Sequence, residues 1–178
     1  SGRSGASVVV DDFGDSVRLG PALRIVSLNP VATEFLFAAG AGARVVGRTH
    51  WDHYPPAADA VPDLGNGIDP NVEAVIGAKP DLVILYHSAS NRRAALGLHA
   101  AGVRTLTVRT DQIADLTRLD GLFAAVTGDS AGLAVVDTVM RSVDAVRRMP
   151  RPARAPRAFW VLFDGGPQTW PLGRGSFM

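Results

Sequence analysis

Histidine and aspartate side chains that share one loop are the first candidates for chemistry in this sequence of 178 residues. His50 and His53 are three positions apart with Asp52 between them, and such groups can take part in a zinc site. A metal centre needs further ligands beyond the histidine pair, and none is close in the sequence. Loop histidines of this kind are usually solvated, so the sequence predicts no metal site.

The motifs of common enzyme classes are missing or out of context. Ser27, Ser88, Ser90 and Ser176 stand outside any Gly-x-Ser-x-Gly elbow, so none is predicted to be an acyl-transfer nucleophile. The chain has no cysteine, which excludes thiolate zinc sites, cysteine nucleophiles and disulfides. Gly40-Ala41-Gly42 resembles the start of a dinucleotide fingerprint, but it follows a predicted helix and precedes a strand, the reverse of the required order. These motifs identify no catalytic residue.

Composition and charge are those of an ordinary globular protein. Hydrophobic residues make up 47% of the chain and charged residues 20%, enough for a packed core and a solvated surface. The formal net charge of +1 provides no basic field, so no nucleic-acid partner is predicted. Apolar runs such as Leu82–Tyr86 are too short to span a bilayer. The opening Ser1–Ser7 is typical either of a tag scar or of the polar start of a mature secreted protein.

Strands that alternate with short helices predict the architecture. Parallel strands joined by helices form βαβ units, so we predict an α/β fold with a parallel, Rossmann-like sheet. A small hairpin with an Asp/Gly turn precedes the sheet, across Val8–Leu19. Thr33 is expected to cap the first helix and Gly40 to end it. The predicted strands are Arg24–Leu28, Arg44–Arg48, Leu82–Tyr86 and Val103–Val108, and the predicted helices are Thr33–Ala39, Pro70–Ala78 and Asn91–Ala101.

The last third of the chain predicts a connector followed by new structure. Residues 113–149 have a helical pattern interrupted at Thr127-Gly128, and Asp129 is expected to cap a long second helix. Proline and arginine dominate residues 151–157, and the apolar run Ala158–Phe163 then opens a strand that cannot bury a core alone. We therefore predict a tail and hairpin at residues 1–21 and a ligand-binding lobe at residues 22–128. A connecting helix is predicted at residues 129–150, and a linker with the beginning of a truncated second lobe at residues 151–178.

Aromatic and polar residues follow several predicted strands at the point where each strand ends. Asn29-Pro30, Thr49-His50-Trp51 and Tyr86-His87 come directly after successive strands. Because ligands of open parallel sheets bind beyond the carboxyl ends of the strands, these segments are expected to converge on one site. Flat apolar side chains there suit a large, partly flat ligand, although Trp51 and Tyr86 are equally suited to packing within the lobe.

Six segments together resemble a known family, the periplasmic binding proteins for cobalamin, ferric siderophores and heme. They occur in the order and spacing of that family, from about residue 8 to the end of the chain. The segments are Arg24–Pro30 followed by Thr33-Glu34, Val45–Thr49, Tyr54-Pro55-Pro56, Val61–Gly65, Asn71–Val75 and Lys79–Val83.

The resemblance implies a fold and a function. Such proteins have two α/β lobes joined by a long backbone helix, which residues 129–149 would form here. They capture a metal chelate in a shallow cleft between the lobes and deliver it to the permease of an ABC importer. The chain is therefore expected to be periplasmic or extracytoplasmic, peripheral to the membrane and not an enzyme. The sequence leaves open whether a lipid anchor precedes Ser1.

The resemblance also implies which residues face the ligand and the permease. Trp51 and Tyr86 match cleft aromatics of the first lobe, and Trp170 lies in the second-lobe loop that supplies a facing aromatic. Gly67 stands where a cobalamin binder of the family has a cleft tryptophan, which is a departure from the corrinoid pattern. Glu73 matches the surface glutamate that pairs with arginines of the permease, and it equally suits the start of a helix.

Hydrogen-bonding groups complete the predicted ligand site. Asn29, followed by Pro30, and Asn66, followed by Gly67, are expected to offer polar groups to the ligand, as is His50. His50 could also coordinate a heme iron or cobalt at a vacant axial position. We rank cobalamin first as the cargo, ferric siderophore second and heme third, and we predict no resident cofactor. The Gly-Tyr-x-Arg segment typical of heme binders is absent.

Two other function classes remain open from the sequence alone. A metallocofactor assembly protein, or another enzyme on a related chelate-binding fold, would need acidic or cysteine ligands at the cleft. The lobe could also be a folding or assembly module that dimerises through its free surface, which gel filtration would reveal as a tight dimer.

Overall fold

The computed structural model describes residues 7–128, 133–150, 161–164 and 169–171. Within these ranges the predicted alternation of strands and helices is confirmed. The strands are β1 (Ser7–Val10), β2 (Ser16–Leu19), β3 (Ile25–Leu28), β4 (Val45–Gly47), β5 (Leu82–Tyr86), β6 (Arg104–Val108), β7 (Val161–Asp164) and β8 (Thr169–Pro171). The helices are α1 (Pro30–Ala38), α2 (Val72–Gly77), α3 (Ala89–Ala100), α4 (Ile113–Thr127) and α5 (Leu133–Arg147).

A parallel sheet of four strands is the centre of the fold, in the order β4-β3-β5-β6. β3 pairs with β5 from Ile25 opposite Leu82 to Leu28 opposite Leu85. The connection from β3 leads to one side of the sheet, and β5 is followed by β6 on the other side. The carboxyl ends of β3 and β5 therefore form a topological switch point, where open α/β sheets bind their ligands.

Successive residues of each strand point to opposite faces of the sheet, and each face has its own hydrophobic core. On one face Ile25 and Ile84 pack with α1 and α4, including the fully buried Phe123. On the other face Val26 and Leu85 pack with α2 and α3. This explains the continuous apolar run of β5, because strands covered by helices on both faces need apolar residues at every position.

The first helix begins earlier than the sequence analysis predicts. Asn29, not Thr33, is its N-cap, and Pro30 occupies the first helical turn, where a missing N–H costs nothing. The prediction of Thr33 as a cap is wrong because its hydroxyl donates to the Asp52 carboxylate 19 residues away, at 2.5 Å. A local pattern could not indicate that distant partner.

The predicted hairpin and the predicted helix interruption are also observed. β1 and β2 pair antiparallel, and the turn is held by Asp11, whose carboxylate accepts the backbone N–H of Phe13 and Asp15. Gly128, at a φ of 73°, ends α4 in the left-handed conformation that glycine adopts without strain. The interruption predicted at Thr127-Gly128 is therefore a helix terminus.

The connecting helix is observed over Leu133–Arg147 and packs against α4. Val136 is buried, whereas Val139 and Val146 are exposed, so only part of its apolar stripe is covered. Asp129, the predicted cap, and the predicted linker 151–157 lie outside the described residues. β7 and β8 form a separate antiparallel pair. None of the helices in the described part of the chain is both long and apolar enough to cross a membrane.

Candidate functional site

A recess of about 280 Å³ lies at the carboxyl edge of the parallel sheet. Each of the four strands contributes to it through its last residue or the segment that follows, which is the convergence predicted from the sequence. The residues that enclose the recess are Leu28, Asn29, Pro30, Val31, Thr49, Trp51, Gly67, Ile68, Tyr86 and Thr110. We call this feature the edge recess.

The wall of the edge recess is apolar and open to solvent. Trp51 is 62% exposed and Ile68 is 60% exposed, large values for side chains of this size. Apolar side chains that cluster at an exposed concave surface are typical of ligand-binding sites. Ile68 did not figure in the sequence analysis, because its position in the loop after β4 gives no periodic signal.

Buried hydroxyl groups and one carboxylate hold the Trp51 loop in place. Asp52 is 1% exposed, and its carboxylate accepts the hydroxyl of Thr49 at 2.5 Å and that of Thr33 at 2.5 Å. The Trp51 backbone N–H in turn donates to the Thr49 hydroxyl at 3.2 Å. Ser27 extends the network through a 2.8 Å contact between its hydroxyl and that of Thr33. The position of Trp51 is thus set by a network rooted in β3 and α1.

Asn91 fixes the opposite side of the edge recess. Its Nδ2 donates to the backbone carbonyl of Gly67 at 2.9 Å and to that of Tyr86 at 2.8 Å. Asn91 is fully buried near the start of α3, whose N-cap is Ser88. One amide therefore ties the loop that carries Ile68 to the end of β5, a positioning role that the sequence analysis missed.

Gly67 is a position where only glycine fits the observed backbone. A Cβ atom there would lie 2.7 Å from the carbonyl oxygen of Leu28 and 2.7 Å from the Thr49 methyl carbon. The Leu28 oxygen belongs to the central strand and cannot move aside. The loop consequently approaches β3 closely, and no side chain fills this part of the edge recess.

We expect Gly67→Ala to destabilise the protein by about 1–3 kcal/mol, because the added methyl must displace backbone. Gly121→Ala is the matched control, since nothing lies within 4 Å of its Cβ position in α4. That control should stabilise the helix by about 0.4–1 kcal/mol. Urea denaturation measures both variants, and equal stability of Gly67→Ala and the parent chain would contradict the close approach.

The Tyr86 phenol is a hydrogen-bond donor directed away from the sheet. It donates to the Asp111 carboxylate at 2.7 Å. Burial, together with the hydrogen bond to Asp111 and the charge of that carboxylate, raises the pKa of Tyr86 to about 12. The hydrogen bond from the phenol to Asp111 therefore persists to high pH, and it ties the end of β5 to the segment after β6.

His50, Asn66 and Glu73 are predicted site residues that do not line the edge recess. His50 packs its ring against Trp51, with centroids 4.4 Å apart, but does not line the edge recess. The Asn66 side chain closes a local turn by accepting the N–H of Ile68 at 2.8 Å. Glu73 is exposed in the first turn of α2, as its helix-start interpretation requires. Trp170 pairs with Phe163 through the β8 backbone, and its side chain lies outside the described residues.

The histidine pair does not converge on a common ligand. Asp52 is turned inward to the threonine hydroxyls, while His53 Nδ1 lies 3.1 Å from the exposed Asp59. Among the described residues, no group of three or more histidine, aspartate or glutamate side chains is arranged to hold a metal ion.

One enzyme-like motif escaped the sequence analysis. Residues 128–132 read Gly-Asp-Ser-Ala-Gly, which matches the Gly-x-Ser-x-Gly elbow in letters. That elbow works only as a sharp turn from a strand into a helix. Here Gly128 ends a helix, α4, and residues 129–132 lie outside the described ranges. The motif therefore lacks the strand that would present its serine.

An open parallel sheet with an apolar recess over its switch point is a Rossmann-like arrangement with a ligand crevice. A family described as periplasmic binding protein matches residues 25–168. The chain belongs to this periplasmic binding protein family, as its sequence motifs predict.

Individual relatives are similar over part of their length. The chain is 32% identical to a vitamin B12-binding protein of Photorhabdus laumondii over 125 residues, 67% of this chain and 45% of that protein. It is 42% identical to YvrC, an uncharacterized ABC transporter substrate-binding lipoprotein of Bacillus subtilis, over 91 residues, 50% of this chain and 29% of that protein. The matches thus span less than half the length of either relative.

A solved structure with a similar fold is the periplasmic heme-binding protein BhuT in complex with two hemes. It has a TM-score of 0.73 and 26% identity, and the match covers 88% of this chain and 62% of that one. All three relatives are named as binding proteins, which agrees with the prediction that this chain is not an enzyme.

Proposed function

We propose that this chain forms one wall of the ligand cleft in an extracytoplasmic solute-binding protein of an ABC importer. The observation that carries the proposal is the edge recess, where Trp51 stands exposed at the switch point and Tyr86 ends a neighbouring strand. The names of the B12-binding and ABC transporter relatives support it. Binding, not catalysis, is the role of this surface.

The cargo we propose is a metal chelate, with cobalamin first, ferric siderophore second and heme third. A flat chelate or macrocycle can stack on an exposed indole, and each aromatic contact contributes about 0.5–1.5 kcal/mol beyond the area it buries. Trp51 and Tyr86 would supply this contact, with Trp170 facing them from the second lobe. Gly67 bears no side chain at the position where a cobalamin binder has a second tryptophan. Stacking on this wall would therefore depend more strongly on Trp51.

The cleft model requires a second wall. We expect a form of this protein extended through a complete second lobe to bind its chelate at least tenfold more tightly than the 178-residue chain. A second wall would bury further apolar area of the ligand, and such burial contributes about 25 cal/mol per Å². Equilibrium dialysis of both forms with the same chelate measures the difference. Equal affinities would refute the model.

Glu73 is the residue that we propose docks on the permease. Glu73→Ala is expected to leave chelate binding within about twofold and to impair uptake in a transport assay, because an exposed carboxylate mainly guides a charged partner. Asp137→Ala, at another exposed acid on α5, is the control and should transport normally. Loss of chelate binding in Glu73→Ala would refute the docking role.

A further inference from the structure

Asn29 lies where the edge recess meets the start of α1. Its Oδ1 accepts the backbone N–H of Val31 at 3.0 Å and that of Ala32 at 3.3 Å. Two N–H donors on the same atom identify it as oxygen, since the amide nitrogen could not accept them. The orientation of the amide is thereby fixed, and the Nδ2 end is directed away from the helix.

The Nδ2 group is a buried donor without an acceptor. Asn29 is 1% exposed, and Nδ2 has no hydrogen-bond partner among the residues that the structure describes. Such a group destabilises the folded protein, because its hydrogen bonds to water are lost on burial and no protein acceptor replaces them. The same side chain lines the edge recess, so an acceptor on a ligand is the partner that could satisfy it.

The surroundings decide which acceptor is suitable. α1 has no acidic residue in its first turn, so the positive end of its dipole favours an oxygen. The carboxyl group of Asp52 lies nearby, however, because the Thr33 hydroxyl contacts both that group and the Asn29 carbonyl. A full negative charge on the ligand would be repelled by Asp52, whereas a neutral carbonyl oxygen would not.

We propose that Asn29 Nδ2 donates a hydrogen bond to a neutral carbonyl oxygen of the bound ligand, of the amide kind. The inference rests on the proposed function, and it restricts the proposed cargo to chelates that carry such a carbonyl oxygen. Chelates that carry only carboxylates, such as hemin, lack this contact.

Asn29→Ser is the test, with Asn71→Ser as the matched control. Serine retains the N-cap at both positions but removes the amide donor, and Asn71 caps α2 at an exposed site outside the edge recess. Three probes are used for calorimetric titration of this chain. Cyanocobalamin carries carboxamides, ferrichrome carries peptide amides, and hemin carries only carboxylates.

We expect Asn29→Ser to weaken binding of the carbonyl-bearing probe about tenfold and to leave the thermal midpoint unchanged or higher, because an unsatisfied donor has been removed. Asn71→Ser should bind like the parent. If Asn29→Ser does not fold, Asn29→Asp keeps the cap and places a carboxylate against the ligand oxygen, so a larger loss is expected.

Equal affinity of the parent and the Asn29 variants would overturn the proposal. Binding of hemin alone would overturn it too, while leaving the proposed function intact. If neither this chain nor a form extended through a complete second lobe binds any of the probes, the proposed function fails together with it.

Discussion

The Trp51→Ala variant is expected to bind its chelate about 10- to 100-fold more weakly than the parent protein. The indole is 62% exposed in the free chain, so stacking on a ligand can bury most of this apolar surface. Burial contributes about 25 cal/mol per Å², and a ring of this size offers about 100 Å² or more to the ligand. Calorimetric titration of parent and variant measures the loss directly.

Tyr54→Ala is the matched control for this experiment. Tyr54 is 65% exposed in the same loop, but it lines a different recess of about 440 Å³, between α1, α4 and α5. Its removal should change affinity by no more than about twofold. Unaltered affinity in Trp51→Ala would contradict the account, and Trp51 would then be a packing residue of the lobe.

Removal of the buried Asp52 carboxylate is expected to have the second large effect, on the stability of the fold. Asp52→Ala is expected to lower the free energy of unfolding by about 2–4 kcal/mol, because hydrogen bonds to a buried carboxylate are strong and the hydroxyls of Thr33 and Thr49 would lose their acceptor. The Trp51 loop should loosen at the same time, since the Trp51 N–H is held by Thr49. Urea denaturation gives the stability, and tryptophan fluorescence reports on the loop.

Asp59→Ala tests whether the burial of the Asp52 carboxylate is the cause of the stability loss expected in Asp52→Ala. Asp59 is an exposed carboxylate seven residues further along, paired with Arg48 at 3.5 Å and His53 at 3.1 Å. Arg48 is buried, but its guanidinium also donates to the backbone carbonyls of Ala58, Val61 and Thr49. Loss of the exposed Asp59 should therefore cost less than about 1 kcal/mol. If the free energy of unfolding falls by the same amount in both aspartate variants, the hydrogen bonds to the buried Asp52 carboxylate are not a special source of stability.

Much of the fold could be predicted because its signals are local. The five apolar residues of β5 correspond to a strand covered on both faces, and the predicted bounds Leu82–Tyr86 are those observed. The convergence of Asn29, Trp51 and Tyr86 follows from strand direction alone, because parallel strands end at the same edge. Family resemblance and strand pattern thus lead to the same surface.

The supporting contacts of the site could not be predicted because their partners are far apart in sequence. Asn91 reaches a carbonyl 24 residues away at Gly67, and Thr33 donates to Asp52 across 19 residues. Asparagine at the start of a helix and threonine near a cap have common local roles, which favoured the wrong interpretation of Thr33. Asn66 and His50, predicted as ligand contacts from the same loop, remain predictions.

The most direct test of the account is calorimetric titration of a form of this protein extended through the proposed second lobe, with cyanocobalamin, hemin and a panel of ferric siderophores. We predict a single saturable partner with a dissociation constant in roughly the nanomolar to micromolar range. Absence of binding to every chelate, with circular dichroism showing a folded protein, would contradict the assignment of the edge recess as a chelate-binding wall.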